Sequence, residues 1–318
     1  MTATDISRLP TESPDVYGGE RRPAWMDVDW RAHQRWLMVH DTPMDVVEMP
    51  APDADADTIV FIHGHAGSWT NWLGQLPELS RTHRVIAPDL PGFGRSPMPN
   101  HPISMTEYAR DVDEVMNQLD VGSACVVGNS MGGFIAAELA IRFPERVSSL
   151  VLVSAAGVAT RYMYTPSRLM AMSGYERFLA AVGPWTRVSK RRASRLVSRR
   201  RLRGAALGLV AAHPQLLPPE IAWELVRGAG MPGIAAAGRA IANYDFRDRL
   251  PEIACPTLIV WGSRDLVVPP SGADEFARLI PDAQKVIFED TGHVPMIERP
   301  ARFNALLRRF LAGTTPGV

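Results

Sequence analysis

The chain lacks most of what would mark a special class of protein. Only two cysteines, Cys125 and Cys255, occur in 318 residues, and each sits inside an apolar run. That number excludes a disulfide framework and predicts two buried free thiols. No Cys/His spacing matches a structural zinc site, so no metal is expected. No apolar run reaches the roughly 18 residues of a membrane span. The first 24 residues hold no apolar stretch of signal-peptide length, so the expectation is a soluble cytoplasmic protein. Net charge is also lacking: 34 basic residues balance 34 acidic ones. No global field therefore argues for nucleic acid or a strongly acidic partner. Internal repeats are absent as well.

What is present is an alternation. Residues 1–24 are polar, rich in Pro and Gly, and expected to be a poorly ordered leading segment. WLMVHD (36–41) and MDVVEMP (44–50) read as a hairpin split at Thr42-Pro43. TIVFIHG (58–64), RVIAPDL (84–90), ACVVGNS (124–130) and SLVLVSA (149–155) read as buried strands, as do TLIVWGS (257–263) and KVIFED (285–290). Between them lie helical spacings. Residues 103–120 place Tyr108, Val112, Val115 and Leu119 on one face, with Thr106 as the expected N-cap. FIAAELAIRF ends before Pro144, where a helix should stop. Apolar strands alternating with helices predict an α/β fold, a mostly parallel sheet of eight strands with helices on both faces. Residues 25–155 and 249–318 would form this core. Residues 156–248 break the alternation and read as a helical cap, or lid, inserted after the sixth strand.

Chemistry gathers on the loops that follow strands. Gly128-Asn129-Ser130-Met131-Gly132 has the G-x-S-x-G spacing of a nucleophile elbow. A serine hydroxyl is a poor nucleophile until a base takes its proton and a third group orients that base. The glycines remove side chains where strand and helix would collide, and the helix beginning near Met131 aims N–H groups at a developing anion. His293 follows the last strand, in FEDTGHVPMIERP, and Asp265 follows TLIVWGS. The order Ser130, Asp265, His293 is that of a hydrolase triad on this kind of sheet. The plainer alternatives are a helix-capping serine, a turn aspartate and an exposed loop histidine. The second oxyanion donor is assigned to the backbone N–H of His65, in HGHAGSW, beside that of Met131. His63 and His65 lack the further ligands a metal would need.

The segments HGHAGSW, RVIAPDLPGFGRS, GNSMGG, WGSRDLVVP and DTGHVPMIERP together resemble the α/β-hydrolase fold family. The resemblance runs from about Asp57 to the end, the cap excepted. It implies a serine triad, no cofactor, and a structural turn role for Asp89. Relatives with an aspartate nucleophile, the haloalkane dehalogenases and epoxide hydrolases, are excluded by Ser130. GNSMGG is similar to the elbow of meta-cleavage-product hydrolases. Those enzymes carry an aromatic residue after the histidine and a tryptophan further on, where Val294 and Ile297 stand here. Their cap arginine has no evident counterpart in EIAWELVRG. The GHxPxxExP-like ending is similar to that of esterases and lipases.

The expectation is thus a serine carboxylesterase or lipase acting on a fairly apolar small-molecule ester. Carbon–carbon hydrolysis, lactone opening and acyl transfer stand as alternatives on the same triad, and a non-catalytic binding protein as a remote one. Asn129, Val294 and Trp223 are candidate substrate contacts. Met163, Met170, Met172 and Trp185 are further candidates for an apolar acyl pocket. Residues 187–203 carry nine basic and no acidic side chains. They read as a solvated helix face, or as a patch drawn to anionic surfaces.

Overall fold

A computed structural model describes residues 16–19, 22–158, 194 and 197–314. Part of the expected cap, residues 159–193 with 195 and 196, lies outside the described residues, and with it Met163, Met170, Met172 and Trp185. Eight strands form one sheet: β1 (Gln34–Val39), β2 (Thr42–Met49), β3 (Thr58–Ile62), β4 (Arg84–Pro88), β5 (Ala124–Asn129), β6 (Val147–Val153), β7 (Thr257–Gly262) and β8 (Ala283–Phe288). Their spatial order is β1-β2-β4-β3-β5-β6-β7-β8. β1 pairs antiparallel with β2, and β2 with β4. Every other neighbouring pair is parallel.

Parallel strands must be covered on both faces, and this sequence supplies two apolar sets to do it. Ile62, Val126, Leu152 and Trp261 face one layer of helices, α2 (Met105–Gln118) and α3 (Met131–Arg142) among them. Phe61, Val127, Val153 and Val260 face the other, which includes Trp72, α1 (Leu76–Leu79) and the C-terminal helix residues Phe303, Leu307 and Phe310. Successive residues of one strand thus serve opposite faces, the period of two that a pleated strand imposes. Tyr108, Val112 and Val115 are fully buried, as the helical spacing requires.

Two local expectations are corrected. The N-cap of α2 is Ser104, not Thr106: its side chain accepts the Glu107 N–H at 3.0 Å. Ser104 and Glu107 have capping-box spacing, and Thr106 lies inside the first turn, where its hydroxyl donates to Glu138. The hairpin turns at His40-Asp41, not at Thr42-Pro43. Both residues take positive φ, 44° and 64°, as a two-residue loop between right-twisted strands demands. Pro43 lies within β2, opposite Met38 and near the strand start, where its missing N–H costs least.

Of the leading segment, residues 16–19 and 22–24 are described. Residues 16–19 lie against the body of the protein, with the Gly18 N–H donating to the Glu298 carbonyl at 2.7 Å. Both cysteines are free; Cys125 is buried and Cys255 half-buried. Burial pushes the Cys125 thiol up to about 12.

After residue 197 come α4 (Arg200–Leu207), α5 (Pro219–Arg227) and α6 (Ile234–Asn243). Arg199, Arg200 and Arg201 are exposed, as a solvated basic face predicts. Arg203 is not: its buried guanidinium donates to the carbonyls of Val197, Pro214 and Gln215 at 2.8–3.0 Å. Among the described residues, no helix is long and apolar enough to cross a membrane.

Candidate active site

From β3 the chain passes to β4 on one side, and β5 lies on the other. Loops leaving β3 and β5 therefore diverge, and open a crevice at the carboxyl ends of the strands. His65 follows β3 and Ser130 follows β5. Asp265 and His293 follow β7 and β8.

Ser130 takes φ 55° and ψ −116°, a conformation side chains other than glycine rarely adopt. Three backbone bonds hold it there. Its N–H donates to Val153 at 2.9 Å, and its carbonyl accepts from Ala156 at 3.0 Å and Phe134 at 3.2 Å. Gly128 makes the turn possible, since a Cβ there would lie 2.1 Å from the Gly132 carbonyl oxygen. Met131 begins α3, so its N–H lacks an intrahelical acceptor.

The structure joins two of the three expected triad members directly. His293 Nδ1 lies 2.8 Å from Asp265 Oδ2, with both residues buried. Asp265 Oδ1 accepts the N–H groups of Val267 and Val268, each at 2.9 Å. One carboxylate oxygen is thus committed to its own loop and the other to the imidazole. The Asn129 side chain bridges to this loop, donating to the His293 carbonyl at 3.3 Å and the Val153 carbonyl at 3.1 Å. Among the described residues, no hydrogen bond runs from the Ser130 hydroxyl to the His293 imidazole.

The other candidates fall differently. Asn129 is committed to the two backbone carbonyls just named. The Val294 side chain is buried in the apolar layer with Phe288 and Met296. Trp223 packs against a small cluster of Val197, Leu207, Ala222 and Val226. His65 carries a side-chain bond that the sequence did not suggest: Nε2 donates to the Ile234 carbonyl at 2.8 Å. The two residues stand 169 positions apart, so no local pattern could reveal it. Burial lowers the His65 pKa against the pull of that bond.

His63 and Asp89 brace the turns that follow β3 and β4. The His63 Nδ1–H donates to the Gly64 carbonyl at 2.8 Å, and its Nε2 accepts the Leu90 N–H at 3.0 Å. Asp89 accepts from Trp69 at 2.8 Å and Arg95 at 2.7 Å, the turn role expected of it. Burial lowers the His63 pKa to about 4, well under its ordinary 6.5. The sign follows. Between pH 6.5 and 4 the unfolded chain binds a proton that the folded one refuses, so stability falls as pH drops through that window. The expected contribution is about 3 kcal/mol. Urea unfolding across that window should show the slope, and His63→Gln should flatten it.

The fold has known counterparts. Residues 57–300 match the family model described as alpha/beta hydrolase fold. The chain belongs to the α/β-hydrolase fold family. Within that family it is 33% identical, over 276 residues, to a 2-hydroxymuconate semialdehyde hydrolase of Pseudomonas sp. (strain CF600), covering 80% of this chain and 86% of the relative. A thermophilic esterase from Thermogutta terrifontis superposes with a TM-score of 0.69 at 25% identity, over 89% of this chain and 99% of that one. A membrane phospholipase A described as a bacterial virulence factor superposes with a TM-score of 0.70 at 28% identity, over 89% and 87%. This α/β-hydrolase gathers no group of three or more His, Cys, Asp or Glu side chains fit to hold a metal ion, among the described residues.

Proposed function

We propose that the protein is a serine hydrolase of carboxylic esters working through an acyl-enzyme. The Asp265–His293 bond carries the reading. With Oδ2 accepting from Nδ1–H, the imidazole is held in the tautomer whose Nε2 can accept a proton. Ser130 attacks the ester carbonyl and Nε2 takes its proton. The tetrahedral oxyanion is held by the N–H groups of Met131 and His65. His293 then returns the proton to the leaving alcohol, and water attacks the acyl-enzyme by the same route in reverse. The hydroxyl must swing to Nε2 when substrate binds; such contacts are often open in unliganded sites. Activity should fall on the acid side, because an imidazolium cannot take the hydroxyl proton.

One observation favours a second reaction on the same groups. The relative named as a 2-hydroxymuconate semialdehyde hydrolase is 33% identical. Carbon–carbon hydrolysis of such a substrate would use the same triad. The aliphatic side chains of Val294 and Ile297 beside the histidine support the ester reading instead.

The test is labelling and turnover together. A fluorophosphonate probe should label the protein, and Ser130→Ala should abolish the label. Turnover of p-nitrophenyl esters from acetate to decanoate should exceed that of a meta-cleavage product. Undiminished labelling of Ser130→Ala would remove the nucleophile from the reading. Faster carbon–carbon cleavage would replace the ester by the second substrate.

A further inference from the structure

One buried carboxylate ties two distant parts of the chain to the histidine loop. Glu298 is fully buried at the end of α8, a single turn of helix (Pro295–Glu298) that follows His293. The helix before β8 is α7 (Ser271–Leu279). The Glu298 oxygens accept the Gly292 N–H at 2.9 Å and the Val294 N–H at 3.3 Å, the two residues that flank His293. Oε2 also accepts the Ala212 N–H at 2.8 Å and the Tyr17 hydroxyl. Every partner is a donor, which favours the charged carboxylate against the burial that raises its pKa.

Tyr17 completes the knot. Its oxygen accepts the His213 N–H at 2.7 Å while its hydroxyl donates to Glu298. The Arg299 guanidinium lies over its ring at 5.0 Å, and the His213 ring meets it edge-on at 5.4 Å. Close by, the His293 N–H donates to the Val210 carbonyl at 2.8 Å. Residues 210–213 therefore bind both the histidine and the carboxylate beneath it. Tyr17 stands outside residues 57–300, the span of the family model.

We propose that Glu298 and Tyr17 are positioning residues for His293, so that the segment around Tyr17 is a working part of the active site. This rests on the reading of His293 as the general base. The bonds to residues 292 and 294 set the backbone on either side of the imidazole, and the Tyr17 hydroxyl sets the carboxylate. A misplaced base slows proton transfer while leaving substrate binding intact.

The test uses the full-length protein with p-nitrophenyl butyrate, and the variants Tyr17→Phe, Glu298→Gln and Ser130→Ala. Tyr17→Phe keeps the ring and its stacking and removes only the hydroxyl. Its kcat should fall about 5-fold, the equivalent of one hydrogen bond, with KM within about twofold. Glu298→Gln places an amide N–H2 against donors and should lower kcat by about 10- to 100-fold, again with KM held. Fluorophosphonate labelling should slow in parallel. Far-UV circular dichroism and thermal unfolding report whether each variant is folded. Folded variants that lose only thermal stability, or that change KM and not kcat, would overturn the proposal. Should Glu298→Gln fail to fold, Tyr17→Phe decides alone, and an unchanged kcat overturns it. Ser130→Ala separates the two readings. If it retains turnover, the hydrolytic assignment itself fails. If it is inactive while the other two are unaffected, only the positioning role fails.

Discussion

Asp265→Asn is expected to leave the protein folded and to lower kcat by about four orders of magnitude, the scale of tautomer loss in a serine triad. The direction is set by what holds each carboxylate oxygen. Oδ1 accepts two N–H groups, from Val267 and Val268. An asparagine must place its amide oxygen there, since an N–H2 would face two donors. Its N–H2 then replaces Oδ2 and points at His293 Nδ1, 2.8 Å away in the native protein. To accept that donor, Nδ1 must give up its proton. The proton moves to Nε2, which can no longer take one from Ser130. The loop bonds survive, so thermal unfolding should change little. Steady-state turnover of p-nitrophenyl butyrate, with a fluorophosphonate inactivation rate, measures the loss. A folded Asp265→Asn variant within tenfold of native kcat would show that another group orients the base.

Much of this site is legible in the sequence because its parts obey local rules. Eight apolar runs became eight strands, and Ser130, Asp265 and His293 each follow one of them. The elbow is legible for the same reason: the spacing of its glycines is a steric requirement within five residues. Strand order is not legible, because nothing in β3 or β4 says that β5 will lie on the far side of β3. The hairpin turn is not legible either, because Pro43 is a strong turn signal, yet the paired positive-φ residues His40 and Asp41 provide the reversal.

The supporting contacts were missed for a different reason. Glu298 is part of the motif that suggested esterases, but its carboxylate meets Ala212 and Tyr17, 86 and 281 residues away. Tyr17 sits in a stretch whose composition argues for disorder, and one phenol with a glycine is too little to reverse that reading. The same holds for His65. Its place after β3 suggested a backbone role, and only the fold brings Ile234 to its ring. Long-range polar contacts of this kind leave no period in a sequence.

Gly132→Ala is expected to be severely damaging for a single methyl addition, and its effect should be on folding before activity. A Cβ at residue 132 would lie 2.2 Å from the Ile62 carbonyl oxygen and 2.6 Å from that of His63. Both are backbone atoms at the end of β3, where the chain enters the His65 loop. Neither can rotate away, so α3 or β3 must move by about an ångström. Overpacking usually costs about 1–3 kcal/mol, but that range assumes side chains that can shift. Here the loss should exceed about 4 kcal/mol, a large part of an ordinary domain's stability. Gly313→Ala is the matched control. Its Cβ would have nothing within 4 Å, in a helix that ends the described chain, so it should leave stability unchanged or raise it by up to about 1 kcal/mol. Urea unfolding of the two variants beside the native protein separates these outcomes. A Gly132→Ala protein as stable as native would mean that strand and helix approach less closely than the elbow geometry requires, and that Ser130 is not held in its strained conformation by that contact.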